Sequence, residues 1–142
     1  RLHNIDNIMS KKFPLNSKGF HPYGDLIGLR FTNLSKGYAQ CILNVNQQLM
    51  NPHGFLHGGV MYSMADTGMG AALYSLLKEN ESCSTIEIKI AYFKPVKDGK
   101  LICDTNVIHK GKNFSNLESE IKNNEKLVCK ATGTFSIYKI DK

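Results

Sequence analysis

The stretch Asn51-Pro52-His53-Gly54-Phe55-Leu56-His57-Gly58-Gly59, followed by the unbroken run Val60 to Leu77, decides how this chain is read. The run is a helix by its length and its Ala, Leu and Met content, and the segment before it is a loop rich in Gly and His. Between Lys36 and Lys78 the only formally charged side chain is Asp66, in the middle of that helix. A carboxylate buried without partners costs several kcal/mol, so its position requires a reason. Two remain open: hydrogen bonding to backbone amides or a helix end, or a pocket-lining carboxylate that does chemistry. With Asp66, glycines and hydroxyls in it, the helix is poor composition for a membrane span.

Working outward, the remaining pattern is mostly strands. Residues 25–34 and 38–45 flank the turn Ser35-Lys36-Gly37, and residues 85–93, 100–110, 113–123 and 127–140 follow the helix. Along 85–93 strict alternation places Ile86, Ile88, Ile90 and Tyr92 on one face and Thr85, Glu87, Lys89 and Ala91 on the other. Residues 4–12 suggest a short helix, and Pro14, Gly19, Pro22 and Gly24 a polar loop after it. The chain thus divides into an N-terminal helix and loop at 1–24 and a single domain at 25–142. One helix against an antiparallel sheet of about six strands is an α+β arrangement.

Composition sets the bounds. A chain of 142 residues, 42% hydrophobic and 21% charged, makes one compact domain able to build a core without staples. The four cysteines, Cys41, Cys83, Cys103 and Cys129, form no C-x-x-C pair, and reduced thiols are expected. A net charge of +6 invites nucleic acid or a phosphorylated small molecule. Lysines scattered among strands, with no basic tract, favour the second. A cytoplasmic location is expected, with organellar targeting left open because the chain starts at Arg1 rather than Met.

The helix start supplies chemistry complementary to a carboxylate. Gly58 and Gly59 leave their N–H groups unshielded at the positive end of the helix dipole, where an oxyanion is stabilised. Eight residues separate Gly58 from Asp66, about 12 Å along a helix. One subunit cannot bring both to one atom, whereas two antiparallel helices about a two-fold axis can. Gly59, Ser63, Asp66 and Gly70 form a face of small side chains that permits such an approach, or that packs on the chain's own sheet. His53 and His57 are spaced i, i+4, but no Glu follows His53 and the intervening Gly54 lies in a loop, so no metal site is expected. No dinucleotide fingerprint, phosphate loop or serine elbow is present.

The pattern Asn51-x-x-Gly54-x-x-His57-Gly58-Gly59, then Asp66, then Thr85-x-Glu87 leading to Tyr92-x-x-Pro95, resembles the hotdog-fold acyl-CoA thioesterases of the phenylacetate-degradation type, in the 4-hydroxybenzoyl-CoA thioesterase superfamily. The resemblance covers about residues 25–140. It implies a hotdog fold, in which a curved antiparallel sheet wraps one long central helix, and a homodimer or homotetramer. It further implies that Asp66 is the catalytic base or nucleophile, that Gly58 N–H polarises the thioester carbonyl, that Asn51 and His57 position it or shape the loop, and that Thr85 orients water. Lys110 and Lys112, with Gly59, fall to coenzyme A, which is part of the substrate, so no cofactor is expected. A non-catalytic acyl-CoA or lipid-binding hotdog module is the alternative reading. A hotdog dehydratase is less favoured, and nucleic acid is ranked last as a partner.

Overall fold

The computed structural model describes residues 16–141; the short helix expected at 4–12 lies outside them. The elements run α1 (Pro22–Ile27), β1 (Arg30–Ser35), β2 (Tyr38–Asn44), a 3-10 turn (Gln47–Leu49), α2 (Gly58–Tyr74), β3 (Glu81–Tyr92), β4 (Lys100–Lys110), β5 (Phe114–Asn123) and β6 (Lys126–Lys139). The six strands form one antiparallel sheet in the order β1-β2-β4-β5-β6-β3, with α2 packed against it. This is the hotdog fold, α+β as the sequence pattern implies.

The first expected strand begins five residues late, because residues 22–27 are helical. Pro22 sits in the first turn, where its fixed φ suits a helix, and Gly28 at φ 81° closes it with a left-handed cap. The division drawn at 24/25 therefore falls inside α1. The segment before α1 is fastened to the domain. The Asn16 side chain both donates to the carbonyl and accepts from the N–H of Phe31, each at 2.8 Å, which covers part of the free edge of β1. Tyr23 Oη meets Ser63 Oγ of α2 at 2.8 Å.

The inner side of α2 comes unusually close to the sheet. A Cβ on Gly68 would lie 2.5 Å from Thr105 Oγ1. Around this point the sheet donates to helix carbonyls: Cys41 and Cys103 Sγ to Met64 O at 3.8 and 3.7 Å, and Ser119 Oγ to Ala65 O at 3.3 Å. Thr105 and Ser119 share a 2.6 Å hydrogen bond. No disulfide joins the four cysteines. The hydrogen bond with Cys103, and then burial, hold the Cys41 thiol well above its ordinary range, while burial pushes Cys129 up to about 12; these thiols stay protonated and pack. Gly70, by contrast, would place a Cβ with nothing within 4 Å. A helix-interior glycine costs roughly 0.5–1 kcal/mol relative to alanine, and among the described residues packing accounts for it at Gly68 and not at Gly70.

The sheet has four bulges, at Thr32, Ile86, Ile108 and Val128, and those in β3 and β4 decide which residues share a face with the site. The β3–β6 register passes from Thr85↔Phe135 to Glu87↔Thr134, leaving Ile86 as an extra residue. Thr85 therefore faces the helix together with Ile88 and Ile90, and Ile86 is 53% exposed, contrary to the face assigned by alternation. The reason is local: an inserted residue reverses the period-two pattern on one side of it. In β4 the same happens at Ile108, between Val107↔Leu117 and His109↔Asn116, and Ile108 is 59% exposed.

Gly68→Ala adds a methyl group against the stiff, buried Thr105. Despite the gain in helix propensity it is expected to destabilise the fold by about 1–3 kcal/mol, read as a fall in Tm on thermal unfolding.

Candidate active site

Asp66 is half-buried rather than sealed in the core, on the flank of α2 that meets the edge strand β3. Its partner is neither a backbone amide nor a helix end. The Thr85 hydroxyl, turned inward by the bulge, donates to Asp66 Oδ1 at 2.7 Å. Both line an open groove of about 460 Å³ walled by Phe20, Gly70, Tyr74 and Phe135 among others. A volume of this order is typical of small-molecule sites. One carboxylate oxygen is thus held by a hydroxyl, and the other is available to accept a proton.

At the start of α2 the amides can be assigned one by one. Val60 N–H donates to His57 O at 3.0 Å, and Gly59 N–H to His57 Nδ1 at 2.8 Å. Among the described residues, Gly58 N–H meets no acceptor. Tyr92 explains why position 58 carries no side chain: its hydroxyl donates to Gly58 O at 2.7 Å, and a Cβ there would lie 3.1 Å from the ring. Burial raises the Tyr92 pKa above its ordinary value, so the group remains a donor. His57, accepting at Nδ1, is a helix cap. Asn51 Oδ1 accepts from His53 and Phe55 N–H at 2.9 and 3.1 Å, which shapes the loop around Gly54 at φ 83°.

The structure therefore brings Asp66 and Thr85 together at the middle of α2 and gathers Asn51, His57, Gly58 and Gly59 at the N-terminal end of that helix, about 12 Å away by helical rise. None of these four lines the groove that holds Asp66. Lys110 and Lys112 are exposed at the β4–β5 hairpin. The registers Thr85↔Phe135, Phe135↔Ser115 and Ser115↔Lys110 put Lys110 on the same face of the sheet as Thr85, three strand spacings or about 14 Å across. Two contributors were not among the expected site residues. Tyr92 served only to anchor the strand pattern, and its signal was an aromatic residue at the end of a strand. Phe20 lies in what read as a polar loop and carries no sequence signal of its own.

An antiparallel sheet wrapped on one helix, with a hydroxyl-bonded carboxylate facing a ligand-sized groove, defines a hotdog protein equipped for polar chemistry on a small molecule. The pattern of the thioesterase superfamily matches residues 53–130. A protein of Saccharolobus solfataricus, named only provisionally as an esterase, is 35% identical over 81% of this chain and 77% of its own. The 1,4-dihydroxy-2-naphthoyl-CoA hydrolase of Listeria monocytogenes is 27% identical over 81% of this chain and 94% of its own. The crystal structure of a thioesterase from Haemophilus influenzae superposes with a TM-score of 0.86 at 24% identity, covering 95% of this chain and 97% of that one. The chain belongs to the thioesterase superfamily.

Thr85→Val keeps the shape of the side chain and removes the bond to Asp66. The bond to Asp66 is of the charged-group class worth about 1.5–3 kcal/mol; its loss is expected to lower Tm by a few degrees and kcat for thioester hydrolysis roughly 10- to 100-fold, while Thr85→Ser retains most of both. Steady-state kinetics of the two variants check this.

Proposed function

We propose that the protein hydrolyses an acyl-CoA to the free acid and coenzyme A at a site shared between two copies of the chain. The observation that carries this reading is the Asp66–Thr85 pair at the wall of the groove, with Gly58 N–H, unpaired among the described residues, at the N-terminus of the same helix. Thr85 holds Oδ1 of Asp66, leaving Oδ2 to take a proton from water. The lone pairs of Thr85 Oγ1 are placed to accept the other hydrogen of that water. Water oxygen then bonds to the thioester carbon, and the carbonyl oxygen gains negative charge against Gly58 N–H of the second copy. Collapse breaks the C–S bond, and the proton taken by Asp66 passes to the thiolate sulfur. Direct attack by Asp66 through a mixed anhydride is the other route, and the Thr85 contact favours the water route. A thioester is activated enough that one base and one oxyanion donor suffice, so the reaction as written takes no metal or cofactor.

The assembly follows from distance. Asp66 and Gly58 are too far apart along one helix to touch one carbonyl, so a homodimer, alone or within a homotetramer, completes the site. Gly59, Ser63 and Gly70 keep part of the non-buried side of α2 free of bulky side chains, and β3 is an edge strand of 12 residues; both suit a second copy. Lys110, on the same sheet face as Thr85, and Lys112 beside it supply cations for the phosphates of coenzyme A, and the hydrolase relative named for a CoA ester supports that thiol. Among the described residues no helix is long and apolar enough to cross a membrane. Cysteines that form no disulfide fit a reducing compartment, and the cytoplasm is the location we assign.

Thiol release from a panel of acyl-CoAs is the test. Asp66→Asn and Asp66→Ala are expected to lower kcat about 10²- to 10⁴-fold while remaining folded. Full activity in a folded Asp66→Ala protein would remove Asp66 from the mechanism, and tight binding of acyl-CoA by the wild type without turnover would make the protein a binding module instead.

A further inference from the structure

We infer that Gly70 sets the depth of an acyl pocket that runs along α2 from Asp66 past Gly70 to Tyr74, beneath Phe20; this rests on the hydrolase reading above. Asp66, Gly70 and Tyr74 are spaced i, i+4, i+8 and form one stripe on the helix. They rise about 6 Å per step, so the stripe extends about 12 Å beyond the carboxylate. All three line the groove. A glycine at position 70 weakens the helix, and among the described residues nothing packs where its side chain would be. The space it leaves open is continuous with the groove of about 460 Å³. Gly68 shows the contrast, since there the missing Cβ is accounted for by Thr105.

The rest of the groove suits an apolar body with its reactive carbon at one end. Asp66 and Thr85 sit together, and Phe20, Phe31, Phe135 and Tyr74 supply aromatic wall. Phe20 is held over the groove by its flanks rather than left on a loose tail: Asn16 pairs with Phe31, Gly19 N–H donates to Asp25 Oδ2 at 2.9 Å, and Tyr23 meets Ser63. The ligand class that fills this space is an acyl group whose apolar body reaches about two helical turns past the thioester, as a medium-length fatty acyl chain does and an acetyl group does not.

The experiment measures kcat/KM for straight-chain acyl-CoAs from acetyl to lauroyl, with acyl-CoA-induced shifts in Tm as a second readout, for wild type, Gly70→Ala, Gly70→Val and Phe20→Ala. In the wild type kcat/KM is expected to rise with chain length from acetyl- to octanoyl-CoA. Gly70→Val should lower the octanoyl-to-acetyl ratio by about tenfold or more, mainly through KM, with a parallel loss of the octanoyl-CoA Tm shift. Gly70→Ala should raise the Tm of the free protein by about 2–4 °C and move the chain-length profile in the same direction as Gly70→Val. Phe20→Ala should favour lauroyl-CoA over octanoyl-CoA. Equal effects of Gly70→Val on all chain lengths would overturn the inference, as would a change of oligomeric state with the profile unaltered, which would give the space to the partner subunit. Wild-type protein that turns over none of these esters but shows chain-length-dependent Tm shifts, lost in Gly70→Val, would sink the hydrolase reading and keep the pocket. Turnover with a profile insensitive to residue 70 would do the reverse.

Discussion

The close approach of the central helix to its sheet at Gly68 is the contact on which the site depends. Without a Cβ there, the helix backbone settles against Thr105, and thiols and hydroxyls of the sheet reach the carbonyls of Met64 and Ala65. Residues two apart on a helix are rotated by about 200°, so with Gly68 pressed on the middle of the sheet Asp66 leaves the core and meets Thr85 of the edge strand β3. The same packing that buries one side of the helix therefore brings the carboxylate to the rim of the sheet. These inward donors carry no charge, which suits a dry interface: each satisfies a carbonyl without placing an ion in the core.

The strand bulges complete what the helix begins. At Ile86 one extra residue turns Thr85 toward the helix and into bonding distance of Asp66, and the extra residue is left facing solvent. At Ile108 a second bulge returns Lys110 to that face of the sheet. Bulges bend a sheet as well as reversing its pattern, and these two lie at nearly the same level on strands either side of β5 and β6, where the sheet curves around the helix.

The element order and the isolated carboxylate were legible in the sequence because both depend on local pattern: a long Ala-, Leu- and Met-rich run, alternating strands, and one charge where none is expected. The bulges were not. Ile86, Ile88 and Ile90 alternate without a break, and only pairing with Phe135 and Thr134 shows that Ile86 stands apart. The short helix at Pro22–Ile27 was hidden for a different reason, since Pro and Gly within six residues read as a loop although Pro at the first turn and Gly just beyond the last are helix signals. The role of Phe20 rests on Asn16 and Tyr23 reaching distant partners, which no local window reports. Asn51 and His57 were legible as important positions; that their side chains bond to the loop and to the Gly59 amide emerged only from the geometry.

The central claim is that Asp66 of one subunit and Gly58 N–H of another act on one thioester. Subunit exchange tests it most directly. Gly58→Pro removes the N–H at a first-turn position whose backbone accepts proline, with its Cβ 3.1 Å from the Tyr92 ring, so the variant is first shown to be folded and assembled, and Asp66→Ala removes the carboxylate; each homo-oligomer should be inactive. In a fully exchanged equal mixture, half the dimers are mixed and each has one intact site of two, so thiol release should recover to roughly a quarter of the wild-type rate. Absence of recovery in a mixture whose exchange has been verified by mass would contradict the shared site.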